Sequence, residues 1–134
     1  MAIQYSTAHR TAVVDDLVTK CGTSATIKIF TGTQPANCAT TDSGTLLVTL
    51  TGNVTQFGTT ASGVLTISNV TAGTAGNTGT AGYFRIYPSA ATGTNAVIQG
   101  TASTTGDLVL SSNTINSGNT VSITNGATIT AFGA

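Results

Sequence analysis

The sequence predicts an all-β domain, an antiparallel sandwich or barrel of short strands, preceded by one short N-terminal α-helix. Three observations carry this. The hydrophobic period changes from helical to alternating near Ala25. The ordered-looking stretches are dominated by Thr, Val and Ile, whose β-branched side chains fit a pleated surface better than a helix. Finally, short strand-like segments recur to the end of the chain, each bounded by Gly, Asn, Ser or Pro.

The helix is expected over residues 7 to 21. Thr7 can serve as N-cap, Val13, Leu17 and Cys21 recur at i, i+4, i+8 beside Val14 and Val18, and Gly22 stops the helix. Residues 1–24 therefore read as an arm and helix, and 25–134 as the β-domain. Asp15 and Asp16 point around a helix in diverging directions, so they read as a solvated face and not as a metal site. Lys20 stands four residues after Asp16, the spacing of a helical ion pair.

From Ala25 the alternation places Ala25, Ile27 and Ile29 on one face of a strand and Thr26, Lys28 and Phe30 on the other. Further strands are expected at Thr45–Leu50, Val54–Phe57, Gly63–Val70, Thr80–Tyr87, Ala96–Ala102, Leu108–Ser112, Thr120–Thr124 and Ala127–Phe132. Asn116-Ser-Gly-Asn119 reads as a hairpin loop joining two of them. The segment 31–44 is longer than an ordinary connection and reads as an exposed functional loop or an Ω-loop. Gly73, Gly76, Gly79 and Gly82 mark a flexible or closely packed stretch. It leads into a strand and lacks a following Gly-Lys-Ser/Thr, so it is no phosphate cradle.

Polarity here comes from hydroxyls and amides. The chain holds 30 Thr, 11 Ser and 9 Asn but only eight charged residues and no Glu, with a formal net charge of +0. Scattered Arg10, Lys20, Lys28 and Arg85 do not form the clustered basic surface that phosphate binding needs, so nucleic acid is not an expected partner. His9 is the single imidazole, which leaves nucleophilic catalysis nearly without a base, and paired-carboxylate chemistry would have to draw on Asp15, Asp16, Asp42 and Asp107 alone. No catalytic residue, cofactor or metal site is assigned. The start lacks the apolar run of a secretion signal, and no later stretch has the length of a membrane span; a soluble protein made in a cytoplasm, with no membrane partner, is the expectation. In that compartment Cys21 and Cys38 are expected as free thiols.

One row of residues stands out as a binding candidate. Tyr83, Arg85 and Tyr87 share a strand face opposite Phe84 and Ile86, and Tyr and Arg are enriched at protein interfaces and sugar platforms. The same row equally fits phenols covering the outer face of a sheet. With Gln34, Pro35 and Asn37 of the long loop, it makes up the expected partner-binding set.

Taken together, the opening helix Arg10-Thr-Ala-Val-Val-Asp-Asp-Leu17, the stretch Ile27-Lys-Ile-Phe-Thr-Gly-Thr-Gln-Pro-Ala36, the strand Gly44-Thr-Leu-Leu-Val-Thr-Leu50 and the run Gly79-Thr-Ala-Gly-Tyr-Phe-Arg-Ile86 resemble a family of small tailed-bacteriophage virion proteins. The resemblance runs over most of the chain and is a pattern of turns and strands. It implies an antiparallel β-sandwich or jelly-roll-like fold and a capsid cement or decoration protein on the virion exterior, made in the bacterial host cytoplasm, with the major capsid protein as partner. A homo-oligomer, dimer or trimer, on local symmetry axes is implied as well. The pattern also suits a tail or head-fibre component with a carbohydrate- or receptor-binding β-module. No family active-site residues exist to carry over.

Overall fold

In the computed structural model, which describes residues 3–22, 24–52, 58–67, 70–88, 95–123 and 128–130, the helix α1 spans Thr7–Cys21, the expected range. Its cap lies one residue earlier than expected. Ser6 is extended (φ −61°, ψ 151°) and its hydroxyl accepts the His9 N–H at 3.2 Å, whereas Thr7 is already helical. Gly22, at φ 69°, closes the helix and donates its N–H to the Val18 carbonyl at 3.0 Å. Val14 and Cys21 are buried, and the Asp15 carboxylate accepts a hydrogen bond from the Thr60 hydroxyl, tying the helix to the β-domain. The expected Asp16–Lys20 pair does not form; among the described residues the one ion pair joins Arg85 to Asp42. Two exposed side chains gain too little in water to offset the entropy of holding one geometry.

Among the described residues the strands are β1 (Thr26–Thr31), β2 (Leu46–Gly52), β3 (Gly58–Ala61), β4 (Val64–Ile67), β5 (Val70–Thr71), β6 (Gly73–Thr74), β7 (Gly79–Tyr87), β8 (Ile98–Ser103), β9 (Leu108–Val109), β10 (Thr114–Ile115), β11 (Thr120–Val121) and β12 (Thr128–Thr130). The chain is mostly β with one N-terminal helix, and its main sheet, in the order β5-β2-β1-β7-β8-β9 with β10 also on β7, is curled. Two smaller sheets, β11-β6 and β12-β4-β3, complete it. The expected strand Val54–Phe57 lies outside the described residues. No helix among the described residues is long and apolar enough to cross a membrane.

Alternation in β1 divides the molecule as its sequence suggests. Ala25, Ile27 and Ile29 enter a core shared with Leu47, Leu50, Ile67, Phe84, Ile86, Leu108 and Ile115. Cys21 and Leu17 of α1 join that core, and Val14 packs on Leu65 of β4, so helix and strands bury their apolar faces against each other. Each fully buried Ile or Leu contributes roughly 1.5–3 kcal/mol relative to exposure.

Glycine 82 sets which side chains of β7 face this core. Between β1 and β7 the register runs Phe30 to Tyr83 but Thr31 to Ala81, which leaves Gly82 as the extra residue of a β-bulge. The slip lets Ala81 share the core side with Phe84 and Ile86, while Tyr83, Arg85 and Tyr87 face away. Only glycine fits there, since a Cβ on Gly82 would lie 1.9 Å from the Gly32 carbonyl oxygen.

Two features of the antiparallel expectation are corrected. The pair β8 and β9 is parallel, with Ala102 opposite Leu108 and Ser103 opposite Val109. So short a connection closes because Asp107 acts as a side-chain turn: its Oδ2 accepts from the Thr101 N–H at 2.9 Å and hydroxyl at 2.8 Å. Those bonds hold the Asp107 carboxyl below the usual range. The second correction concerns 116–119. That turn forms, with the Asn119 N–H on the Asn116 carbonyl at 3.0 Å, but its flanking strands do not pair together. Instead β10 pairs with β7 and β11 with β6. The turn sits against the glycine-rich stretch, where the Ser117 N–H bonds the Thr78 hydroxyl at 2.9 Å and the Ser117 hydroxyl donates to the Gly76 carbonyl at 3.3 Å.

Candidate functional site

The long loop after β1 folds back over the outer face of the main sheet. Its base closes through the Thr31 N–H on the Thr45 carbonyl at 3.0 Å and the Thr45 N–H on the Thr31 hydroxyl at 2.9 Å. Beneath it, the register aligns Lys28, Arg85 and Gln99 across β1, β7 and β8, and Phe30, Tyr83 and Thr101 in the neighbouring row. The loop meets this surface through polar groups.

Arg85 is the centre of the contact, with a side-chain exposure of 1%. Its Nη1 donates to the Thr40 carbonyl and to Asp42 Oδ1, both at 2.7 Å; its Nη2 donates to the Asn37 carbonyl at 2.9 Å and to Gln99 Oε1 at 2.8 Å. The Nε–H goes to Gln99 Oε1 at 3.1 Å. Every N–H of the guanidinium is thereby used, the condition under which burying a cation is tolerable. Gln99 in turn donates its amide to the Pro35 carbonyl at 2.7 Å, extending the contact to the first half of the loop.

Both phenols of the row serve the same clamp. The Tyr83 hydroxyl donates to the Ser43 carbonyl at 2.5 Å and accepts the Ser43 N–H at 3.0 Å, while its ring stacks on Phe30 at 5.0 Å between centroids. Tyr87 donates its hydroxyl to the Asp42 carboxylate, and Lys28 Nζ lies 4.8 Å over the Tyr87 ring. Burial, then the bond to Asp42, pushes the Tyr87 phenol above its usual range. For Arg85, burial works to lower the value, but hydrogen bonds and attraction from Tyr87 and Asp42 outweigh it, and the guanidinium is held more firmly protonated.

Within the loop, Asn37 Oδ1 accepts from the Ala39 N–H, the Thr40 N–H and the Thr40 hydroxyl, each at 3.0 Å. Its carbonyl, like that of Thr40, accepts from Arg85. Asn37 therefore shapes the turn that delivers acceptors to the guanidinium.

The expected binding set is thus brought together in one place, but with different roles. Tyr83 and Arg85 do not form an exposed contact face, because the chain's own loop covers them; Pro35 is buried and Tyr87 half-buried. Gln34 and Asn37 remain on the exposed side. Sequence reasoning missed Asp42, Gln99, Thr40 and Ser43. A buried arginine demands a carboxylate, and Asp42 is the acid within the long loop; Gln99 is identified only once the register of β8 is known. Elsewhere, His9 is exposed with its ring stacked on Tyr5 at 5.2 Å, and both cysteines are free. Among the described residues no group of three His, Cys, Asp or Glu side chains is placed to hold a metal ion.

Comparison with known protein families, with curated proteins and with solved structures finds no match to this chain.

Proposed function

We propose that this chain is a non-catalytic structural protein of a bacteriophage virion, a capsid cement protein that binds and stabilises the lattice of the major capsid protein from the outside. The observation that carries this reading is the Arg85 clamp. A loop long enough to be mobile is pinned at both halves, so the exposed side of Gln34, Asn37 and their neighbours is ordered before any partner arrives. Preorganisation of that kind removes a cost of association and suits repeated docking on a lattice. Scarce charge also makes such contacts insensitive to salt. The sandwich or jelly-roll description belongs to the same proposal, and the core shared by the main sheet and β4 supports it.

In this reading the protein acts as a dimer or trimer at local symmetry axes, is made in the host cytoplasm, and turns over no substrate. Its binding energy is available to the assembled lattice alone, so linkage raises particle resistance with occupancy. The test compares particles with and without the protein for thermal release of their genome. A higher release temperature with the protein bound is expected. Equal temperatures would overturn the cement reading and favour a tail or fibre module with a receptor-binding surface.

A further inference from the structure

An apolar groove of about 290 Å³ runs between α1 and the strands β8 and β12, lined by the half-buried Val13, Leu17, Val97, Ile98 and Ile129. Asp16 and Lys20 border it, so its rim carries one charge of each sign. At the other end of α1 stands a complementary feature. The arm before the helix exposes Ile3 to 81% and Tyr5 to 40%, and Ile3 is the most exposed large apolar side chain among the described residues.

We propose that the arm of one copy fills the groove of a second copy, giving a two-fold dimer by reciprocal arm exchange. Three observations select this occupant. The segment from Ile3 to Ala8 has no charged side chain, so it crosses the Asp16–Lys20 rim without stranding a charge. The Tyr5 ring stacks on His9 at 5.2 Å and 20°, which ties the arm to the first turn of its own helix and leaves Ile3 open to solvent. The arm and the groove lie on the same helix, so a two-fold operation that seats one arm seats the other, and the contact closes at two copies. Ile3 is the anchor, and Tyr5 covers the groove's edge with its apolar ring. This contact does not depend on which particle or receptor the protein serves, and its failure removes the dimer from the proposed function but leaves capsid binding standing.

The full chain is measured by sedimentation equilibrium across a concentration series, beside Ile3→Asp. Ile3 is exposed in the single copy, so the substitution leaves the fold intact, which circular dichroism checks. The expected result is a reversible monomer–dimer equilibrium whose dissociation constant rises about tenfold or more in Ile3→Asp. Oxidative trapping then places the contact. In a Cys38→Ser background, chains carrying Ile3→Cys are mixed with chains carrying Val97→Cys, and a disulfide between the two kinds of chain is expected. A protein that stays monomeric, a dimer indifferent to Ile3→Asp, or trapping only between like chains would each overturn the proposal.

Discussion

Arg85 and Asp42 meet at 2.7 Å, the guanidinium buried and the carboxylate partly open to water, and this contact fastens a loop to the face of a sheet. The pair is unequal. Arg85 satisfies loop carbonyls at Thr40 and Asn37 as well as Asp42, whereas among the described residues Asp42 holds Arg85 and Tyr87.

Removing the guanidinium should therefore cost more than removing the carboxylate. Arg85→Met strips two backbone carbonyls and Gln99 of their partner, and a loss of about 2–4 kcal/mol is expected. Asp42→Asn keeps a hydrogen-bond acceptor at a site open to solvent, and about 1 kcal/mol is expected. Urea unfolding of both variants gives the comparison, and limited proteolysis should show faster cleavage within 32–44 in Arg85→Met. Equal losses in the two variants would contradict the central place of Arg85.

Gly82→Ala forces a Cβ against the Gly32 carbonyl oxygen beside the bulge, so one of the two backbones must shift. A loss of about 2–3 kcal/mol is expected. Gly76→Ala serves as the control, because a Cβ there meets no atom within 4 Å. Its effect should lie within about 0.5 kcal/mol of zero.

Stability should decline at both ends of the pH scale for separate reasons. The Tyr87 phenol lies above its usual range in the fold, so its contribution is complete below about pH 10 and is lost as pH rises through the folded value. Asp107 lies below its usual range, so its contribution is present above about pH 4 and is lost as pH falls through the folded value. Unfolding midpoints measured against pH should lose part of the alkaline decline in Tyr87→Phe and part of the acid decline in Asp107→Asn.

The two thiols should differ in reactivity. Burial pushes the Cys21 thiol up to about 11, and its side chain is inaccessible, whereas Cys38 sits half-buried in the clamped loop. A thiol reagent at pH 8 should titrate Cys38 in the native protein and reach Cys21 only on unfolding. The same burial makes Cys21 a stabilising group that is lost as pH rises through about 11.

Local pattern determined much of this molecule. The range of α1 follows from the spacing of Val13, Leu17 and Cys21 and from Gly22, and the two faces of β1 and of residues 83–87 in β7 follow from alternation, because a helix or strand face is a property of a few consecutive residues. The long loop and the row Tyr83, Arg85, Tyr87 were also legible as unusual. What they do was decided by tertiary structure. Whether that row meets water, a partner or its own chain depends on where residues 32–45 fold, and that in turn depends on Asp42, Gln99 and three loop carbonyls brought together from separate parts of the chain. The parallel β8–β9 pair and the separate partners of β10 and β11 were hidden for the same reason. Two-residue strands carry no period of their own, and their pairing is set by the long-range contacts that remain once the core has closed.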